Sequence, residues 1–449
     1  MIGAGISGLV CAYRLMSRGA DVALIESSDR IGGVIRSEKI DGYLIERGPN
    51  SSQGTTELLA LVEELGITEH LVEGDPKAPA FVYFNGKLHP VPSGPGGFIS
   101  TSALSLAGKA RLLAEPFIAA RRADGEESIA SFARRRLGTE AAERLVGSFV
   151  SGVYAGDAER LSVQAAFPKL AALEADYGGL IKGAIAKARQ AKQSKTVAPG
   201  PTPKRSVSFL SGMSFLPETL GRSLGDSMLL GCKDLKINRE QRAYTIEFES
   251  KAGPVSLSCE SLILATPAWA AASLVKSISS DLSGLLEEIE YPPLAILYVD
   301  YEASAIGVPL AGFGFLSAPS EETPVLGCVW NSSLFPGRAP KGRTLLTVFM
   351  GGARHPGAAR YEDAELISIA NTELQRALRA NAAPRIAGIT RYERSIPQYN
   401  LGHRDRVRQI EALLAATPGL HIAGNYLHGV STGDCIKEAE RIAREAIPQ

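Results

Sequence analysis

The chain has 449 residues, 45% of them hydrophobic, with 48 Lys plus Arg against 48 Asp plus Glu and a formal net charge of zero. That length exceeds one ordinary core and implies several domains, while the even charge balance excludes nucleic acid as the natural partner. Five cysteines without paired spacing and six dispersed histidines exclude a disulfide framework and a locally encoded metal site, so any redox chemistry needs an organic cofactor.

At the start, Gly3, Gly5, Ile6, Ser7 and Gly8 form the turn Gly-Ala-Gly-Ile-Ser-Gly, the pattern that leads a strand into a helix around a dinucleotide pyrophosphate. The first glycine permits the tight turn, the second lets the backbone approach the phosphates, and the third lets helix and sheet pack. The helix then presents its N-terminal amides to the anion. Ile6, Leu9, Val10 and Tyr13 follow at helical spacing. Only Met1 and Ile2 precede the turn, where a central strand supplies about five apolar residues. The expectation is that the first strand is missing from the sequence as given, that an apolar strand lies upstream, and that flavin is weakly retained without it.

The strand Ala20 to Ile25 ends in Glu26, 18 residues beyond Gly8, where an acidic side chain accepts hydrogen bonds from ribose hydroxyls and repels a 2′-phosphate. Arg30-Ile-Gly32-Gly33 comes next. It resembles the second dinucleotide fingerprint of FAD enzymes in the amine oxidase, phytoene desaturase and protoporphyrinogen oxidase superfamily. The resemblance implies FAD as cofactor, with Ser27 in the binding set, Arg30 on the phosphates and Gly33 beside the flavin.

A helix is expected at Thr56 to Leu65, then a hairpin of Phe81–Phe84 and Lys87–Val91 around Asn85-Gly86. Pro92 to Gln193 reads as helical, with basic clusters Arg121-Arg122 and Arg134-Arg135-Arg136 that form solvated faces or a membrane-surface patch. Lys187 to Lys204 reads as a linker or mobile loop. Strands follow at Val207–Leu210, Tyr244–Phe248 and Ser261–Thr266, then at Leu294–Tyr301, Val325–Trp330 and Leu345–Phe349, with a helix near Glu362 to Leu378. The chain closes with Leu420 to Asn425 and a helix from Thr432, whose amides would face the flavin pyrimidine ring. No apolar run reaches the roughly 18 residues of a membrane span, and the expected location is cytoplasmic, at most peripheral on the inner membrane.

The expected fold class is α/β (α+β). A discontinuous Rossmann-like FAD-binding domain occupies 1–72, 207–270 and 412–449, and a mixed-sheet substrate domain occupies 73–92 and 271–411. A helical, membrane-facing subdomain spans 93–193, and 194–206 is a linker.

Four further segments, Glu46-Arg-Gly-Pro-Asn-Ser51, Ser151-Gly-Val-Tyr-Ala-Gly-Asp157, Ile396 to His403 and Gly424 to Cys435, resemble the family of oxygen-dependent protoporphyrinogen oxidases and coproporphyrinogen III oxidases. The likeness runs over nearly the whole chain. It implies that Gly48, Pro49, Asn50 and Ser51 pass beside the isoalloxazine, and that Asn425, Val430, Ser431 and Thr432 close over it. It further implies that Leu316, Val329 and Phe349 line a tetrapyrrole cavity, and that Asn50 orients a pyrrole or the flavin edge. Where relatives place an arginine for a substrate propionate this chain has Ala80, which shifts that task elsewhere, to Lys77 among others.

The implied activity is six-electron oxidation of protoporphyrinogen IX with O2 as acceptor and hydrogen peroxide as by-product, or the same reaction on coproporphyrinogen III, in a protein that can form a homodimer. An activated porphyrinogen needs orientation and a hydride acceptor more than acid/base groups, and no catalytic triad or carboxylate dyad is legible. The rivals are a flavin amine oxidase, a phytoene-desaturase-like enzyme and a non-catalytic prenyl-protein escort. The intact Glu26–Gly33 stretch argues against the last.

Overall fold

In the structure, a computed structural model that describes residues 1–92, 94–121, 125–193, 206–241 and 243–446, Ile2 pairs in parallel with Ile25 on one side and Leu264 on the other. Main-chain bonds from Ile2 N–H to Ile263 O (2.9 Å), Gly3 N–H to Ile25 O (2.8 Å) and Ala265 N–H to Ile2 O (2.8 Å) hold it there. Strand Leu24–Glu26 pairs onward with Met228–Leu230, and Leu262–Leu264 with Leu420–Ile422, both in parallel. A parallel sheet results, in the order 228–230, 24–26, 1–3, 262–264, 420–422. Met1 to Gly3 thus occupies the central position where the sequence left a strand wanting.

A parallel sheet needs apolar cover on both faces. On one face, helices Ile6–Met16, Phe215–Leu224 and Thr432–Glu445 bring Leu9, Val10, Leu216, Leu220, Ile436 and Ala439 into one core. On the other, Ile25, Leu262, Leu264 and Ile422 pack with Ile246 and Phe248 of an antiparallel three-stranded sheet, Lys233–Glu240, Ala243–Ser250 and Gly253–Cys259, and with helices Ala268–Val275, Ser280–Glu287 and His403–Ala415. Strand Ser206–Phe209, expected near 207–210, joins neither of these sheets; it lies between Ser52–Gln53 and Leu71–Glu73.

The second major unit is a seven-stranded mixed sheet in the order Arg385–Tyr392, Leu294–Asp300, Leu346–Gly351, Val325–Val329, Gly314–Ser317, Ala80–Phe84, Lys87–Pro90. Every neighbouring pair is antiparallel except 314–317 with 80–84. Alternation divides its side chains. Leu346, Val348, Met350 and Cys328 meet Leu366, Ala370 and Leu374 of helix Asp363–Leu378. Thr347, Phe349, Val329, Gly327 and Leu316 share the opposite face, as the registers Val329↔Thr347, Gly327↔Phe349 and Leu316↔Gly327 require.

The helical segment differs from its sequence reading in two places. Arg135 and Arg136 do not form a solvated face. Arg135 bridges Glu127 (2.7 Å) and Glu174 (2.6 Å), and Arg136, fully buried, pairs with the equally buried Glu115. Glu115 also accepts the Leu180 and Ile181 amides at 2.8 and 3.1 Å, so the buried pair is satisfied at the start of helix Leu180–Gln193. That helix carries Lys187 to Gln193, over which the helical reading to Gln193 and the linker reading from Lys187 overlapped. Residues 194–205, the rest of that expected linker, lie outside the described residues, as does Arg122. No helix among the described residues is long and apolar enough to cross a membrane.

Candidate active site

The glycine turn follows from contacts that leave no room for a side chain. Gly3 has φ +103°, and a Cβ there would lie 2.6 Å from Ala265 O; a Cβ on Gly8 would lie 1.9 Å from Gly3 O. Gly5 is different, because a Cβ on it would meet nothing within 4 Å. It caps helix Ile6–Met16 without any side-chain hydrogen bond to the first-turn amides. An uncapped helix start behind open space suits an anion, so these residues fit a dinucleotide pyrophosphate. Ile6 and Ser7 are buried in that first turn.

Glu26 stands beside this turn. Its Oε2 accepts the Ala4 N–H at 2.8 Å, and its Oε1 accepts the Ser28 N–H and hydroxyl, both at 2.8 Å, with Ser27 Oγ at 3.3 Å. Ser28, absent from the sequence-derived set, therefore orients the carboxylate. The second fingerprint docks on the first: Gly32 N–H donates to Ala4 O at 2.8 Å, and a Cβ on Gly33 would lie 3.3 Å from Gly5 Cα. Arg30 is exposed and folds over its own turn, donating to Gly33 O at 2.6 Å.

The next expected segment arrives by a close approach. A Cβ on Gly48 would lie 1.9 Å from Val34 O, so only glycine lets 48–51 run beside the second fingerprint. Pro49 is half-buried, and Ser51 accepts a hydrogen bond from Ser206 Oγ at 2.8 Å. Asn50 is buried, and its Oδ1 accepts from Asn331 Nδ2 and lies 3.2 Å from Thr347 Oγ1. Thr347 Oγ1 also donates to Asn331 Oδ1 at 2.7 Å. Neither Asn331 nor Thr347 was singled out in the sequence, although a threonine inside the apolar run Leu345 to Met350 is the trace such a contact leaves.

From the other end, Ser431 caps helix Thr432–Glu445 in a reciprocal capping box with Asp434. That helix thus satisfies an N-terminal amide itself, unlike the Gly5 helix. A Cβ on Gly433 would lie 2.6 Å from Thr55 Cγ2, which brings Ser431 and Thr432 against the segment following Asn50. Val430 packs against the apolar cluster of the helical segment that includes Tyr154 and Tyr399. Tyr399 donates to Asn425 O at 2.7 Å and accepts the Gly429 N–H at 2.8 Å. Its ring stacks on buried His403 at 4.2 Å between centroids, and burial lowers the His403 pKa to about 4.

The expected cavity residues Leu316, Val329 and Phe349 share one sheet face, and all three are half-buried. Helix Ser148–Tyr154 crosses that face, and a Cβ on Gly152 would strike Leu316 Cδ2 at 2.2 Å. Phe149 and Val153 on the same helix are 44% and 42% exposed, large apolar residues left open beside the sheet. Ala80 pairs with Gly314 at the rim, and Lys77 is exposed outside it. Glu46 is buried with Arg338, whose Nη1 lies 3.7 Å away. Burial raises the Glu46 pKa to about 7, against the stabilising effect of the Ser37 hydroxyl, Arg338 and the Met213 amide.

Residues 6–447 match the family model described as flavin containing amine oxidoreductase. The chain is 35% identical to the chloroplastic protoporphyrinogen oxidase of Nicotiana tabacum, covering 99% of this chain and 84% of that one. It is 29% identical to the coproporphyrinogen III oxidase of Bacillus subtilis, covering 100% and 97%. A solved structure from Exiguobacterium sp. 255-15 superposes with a TM-score of 0.82 at 26% identity, over 99% of this chain and 97% of that one. Reduced UDP-galactopyranose mutase, at 14% identity and a TM-score of 0.73, shares the fold, over 98% and 92%.

Proposed function

The chain belongs to the flavin containing amine oxidoreductases, and from that premise we propose that it is an FAD-dependent oxidase of porphyrin biosynthesis that converts protoporphyrinogen IX to protoporphyrin IX. The observation that carries this reading is the shared face of Leu316, Val329 and Phe349. It gives an apolar surface beside the Asn50–Thr347 contact, suited to a large planar substrate.

FAD, when bound, supplies the hydride acceptor. The chain's own residues do the rest: Gly3 to Gly8 receive the pyrophosphate, Glu26 with Ser27 and Ser28 the ribose, and Arg30 and Gly33 the adjoining stretch. Gly48, Pro49 and Ser51 carry the backbone past the flavin, while Asn425, Val430, Ser431 and Thr432 close the far end. Phe349, Leu316 and Val329 hold the macrocycle against rotation, so the same meso carbon meets the acceptor in one geometry at each two-electron step, with tautomerisation returning hydrogen to it between steps. Protons redistribute among the ring nitrogens, which spares the protein a dedicated base. With O2 as terminal acceptor the balance is one porphyrinogen and three O2 to one porphyrin and three hydrogen peroxide.

Coproporphyrinogen III is the second reading, favoured by Ala80. A small apolar residue at the rim removes one cation that a two-propionate substrate uses, and a substrate with four propionates distributes its charges differently. The domain division inferred from the sequence, a cytoplasmic location and peripheral membrane contact through the helical segment belong to the same proposal. The deciding experiment loads the protein with FAD and follows porphyrin fluorescence and peroxide on both porphyrinogens in air. Oxidation of either supports the reaction class and the faster one names the substrate; flavin present with neither oxidised overturns the proposal.

A further inference from the structure

Asn50, Asn331 and Thr347 are 8%, 2% and 1% exposed and come from three distant segments. Asn50 lies on the loop that passes the second fingerprint. Asn331 opens the short helix Asn331–Leu334 directly after strand Val325–Val329. Thr347 stands opposite Val329 on one neighbour strand and Tyr298 on the other. A buried polar trio is costly unless its bonds are made, and here the orientations of the two amides set the direction of the bonds.

Thr347 has one hydroxyl proton and faces two acceptors, Asn331 Oδ1 at 2.7 Å and Asn50 Oδ1 at 3.2 Å, of which the nearer takes it. Asn331 is thereby oriented with its nitrogen toward Asn50 Oδ1. The Asn50 acceptor is therefore taken up within the protein. Its amide nitrogen makes no hydrogen bond to the described residues, yet it is not among the side-chain atoms sealed from solvent without a partner. Asn50 Oδ1 is turned toward Asn331 and Thr347, and the part of its amide left to the site is the donor nitrogen.

That polarity discriminates between the two groups Asn50 could serve. The four ring nitrogens of a porphyrinogen all carry hydrogen, so a donor meets only donors there. An oxidised isoalloxazine presents acceptors along its edge, and a fixed donor stabilises the negative charge that builds up on reduction. We propose that Asn331 and Thr347 are positioning residues that hold the Asn50 amide nitrogen toward the flavin edge and so raise the flavin's oxidising power. This inference rests on the FAD-dependent reading above.

The test uses full-length, FAD-loaded protein and reads the midpoint potential of the bound flavin by dye equilibration without substrate, then kcat and KM for the porphyrinogen. Thr347→Val replaces the hydroxyl by a methyl on the same branched frame, and Asn331→Leu removes the relay. Each is expected to lower the potential and to reduce kcat about tenfold, the worth of one oriented hydrogen bond, with KM within about twofold. Thr347→Ser is expected to restore both values.

An unchanged potential overturns the proposal, and an unchanged potential with a raised KM assigns Asn50 to a substrate carboxylate instead. If Asn331→Leu does not fold, the Val and Ser variants at 347 decide. Because the potential is read without substrate, a protein that holds flavin but oxidises neither porphyrinogen still reveals whether Asn50 faces the flavin. A wild type that holds no flavin removes the premise and the inference together.

Discussion

The phenol of Tyr399 donates to the carbonyl of Asn425 at 2.7 Å, and the same oxygen accepts the Gly429 amide at 2.8 Å. One side chain from the segment before helix His403–Ala415 thus pins both ends of the loop expected to close over the flavin. Tyr399→Phe strips two backbone groups of their partner at a buried position, at a cost of about 1–3 kcal/mol. Faster flavin release with nearly unchanged secondary structure is expected, measured by the recovery of free-flavin fluorescence after dilution. Unchanged retention would show that the loop is held by packing alone.

Gly5 and Gly8 separate cofactor space from protein space. Gly5→Ala introduces a methyl into the open region before the first helix and is expected to leave the melting temperature of the flavin-free protein unchanged while weakening flavin binding at least about tenfold. Gly8→Ala forces a Cβ to 1.9 Å from Gly3 O and is expected to cost about 1–3 kcal/mol or more in the flavin-free protein. Paired thermal melts and flavin titrations check both. Equal melting temperatures for the two variants would sink the distinction.

Two buried groups shift stability with pH in opposite senses. His403 has its pKa lowered by burial from 6.5 to about 4. The unfolded chain therefore binds more protons in that window, and stability is lost as pH falls below 6.5. Glu46 has its pKa raised by burial from 4.5 to about 7. There the folded chain binds more protons, and stability is lost as pH rises from 4.5 toward 7. Each shift corresponds to about 3 kcal/mol, and the two offset between pH 4.5 and 6.5. Glu46→Gln is expected to steepen acid lability, and His403→Gln to relieve it, in urea melts across pH 4.5–7.5. Parallel pH profiles for both variants and the wild type would refute this assignment.

Leu106, Leu113 and Phe117 are 85%, 64% and 88% exposed, side by side along helix Leu106–Leu113 and the turn after it. Large apolar residues this open suit an interfacial contact. Replacing all three by serine is expected to lower co-sedimentation with anionic vesicles about tenfold or more while leaving turnover of soluble substrate intact. Equal co-sedimentation would remove the membrane reading of this segment.

Much of the nucleotide-binding half was legible because its glycines are dictated by backbone contacts. Gly3, Gly8, Gly33 and Gly48 each face an atom that excludes or crowds a side chain, and such constraints leave the same residue wherever the turn recurs. Strands 294–300, 325–329 and 346–351 were equally plain from their apolar runs. Gly314–Ser317 and Arg385–Tyr392 were not read as strands. One is only four residues, and the other, Arg-Ile-Ala-Gly-Ile-Thr-Arg-Tyr, has a central glycine and arginines that blur the alternation. The inward turn of Arg135 and Arg136 was illegible because their partners, Glu115, Glu127 and Glu174, are scattered along the chain. The Asn50 relay escaped for the same reason: each member is ordinary in its own segment, and only the sheet register and the close approach at Gly48 unite them.

The parallel pairing of Ala80–Phe84 with Gly314–Ser317 also bears on how the molecule is born. On a nascent chain, the hairpin 80–90 waits for more than two hundred further residues before its inner strand finds a neighbour, and the nucleotide sheet is not complete until Leu420–Ile422 is synthesised. Loops closed over such distances form late. The glycine turn is made well before both, yet the apolar wall is not assembled until Leu346–Gly351 is synthesised, nor the closure until Gly424–Thr432 follows. Capture of the cofactor therefore waits for Gly424–Thr432, and until Gly314–Ser317 emerges the apolar edge of the hairpin is exposed to off-pathway pairing.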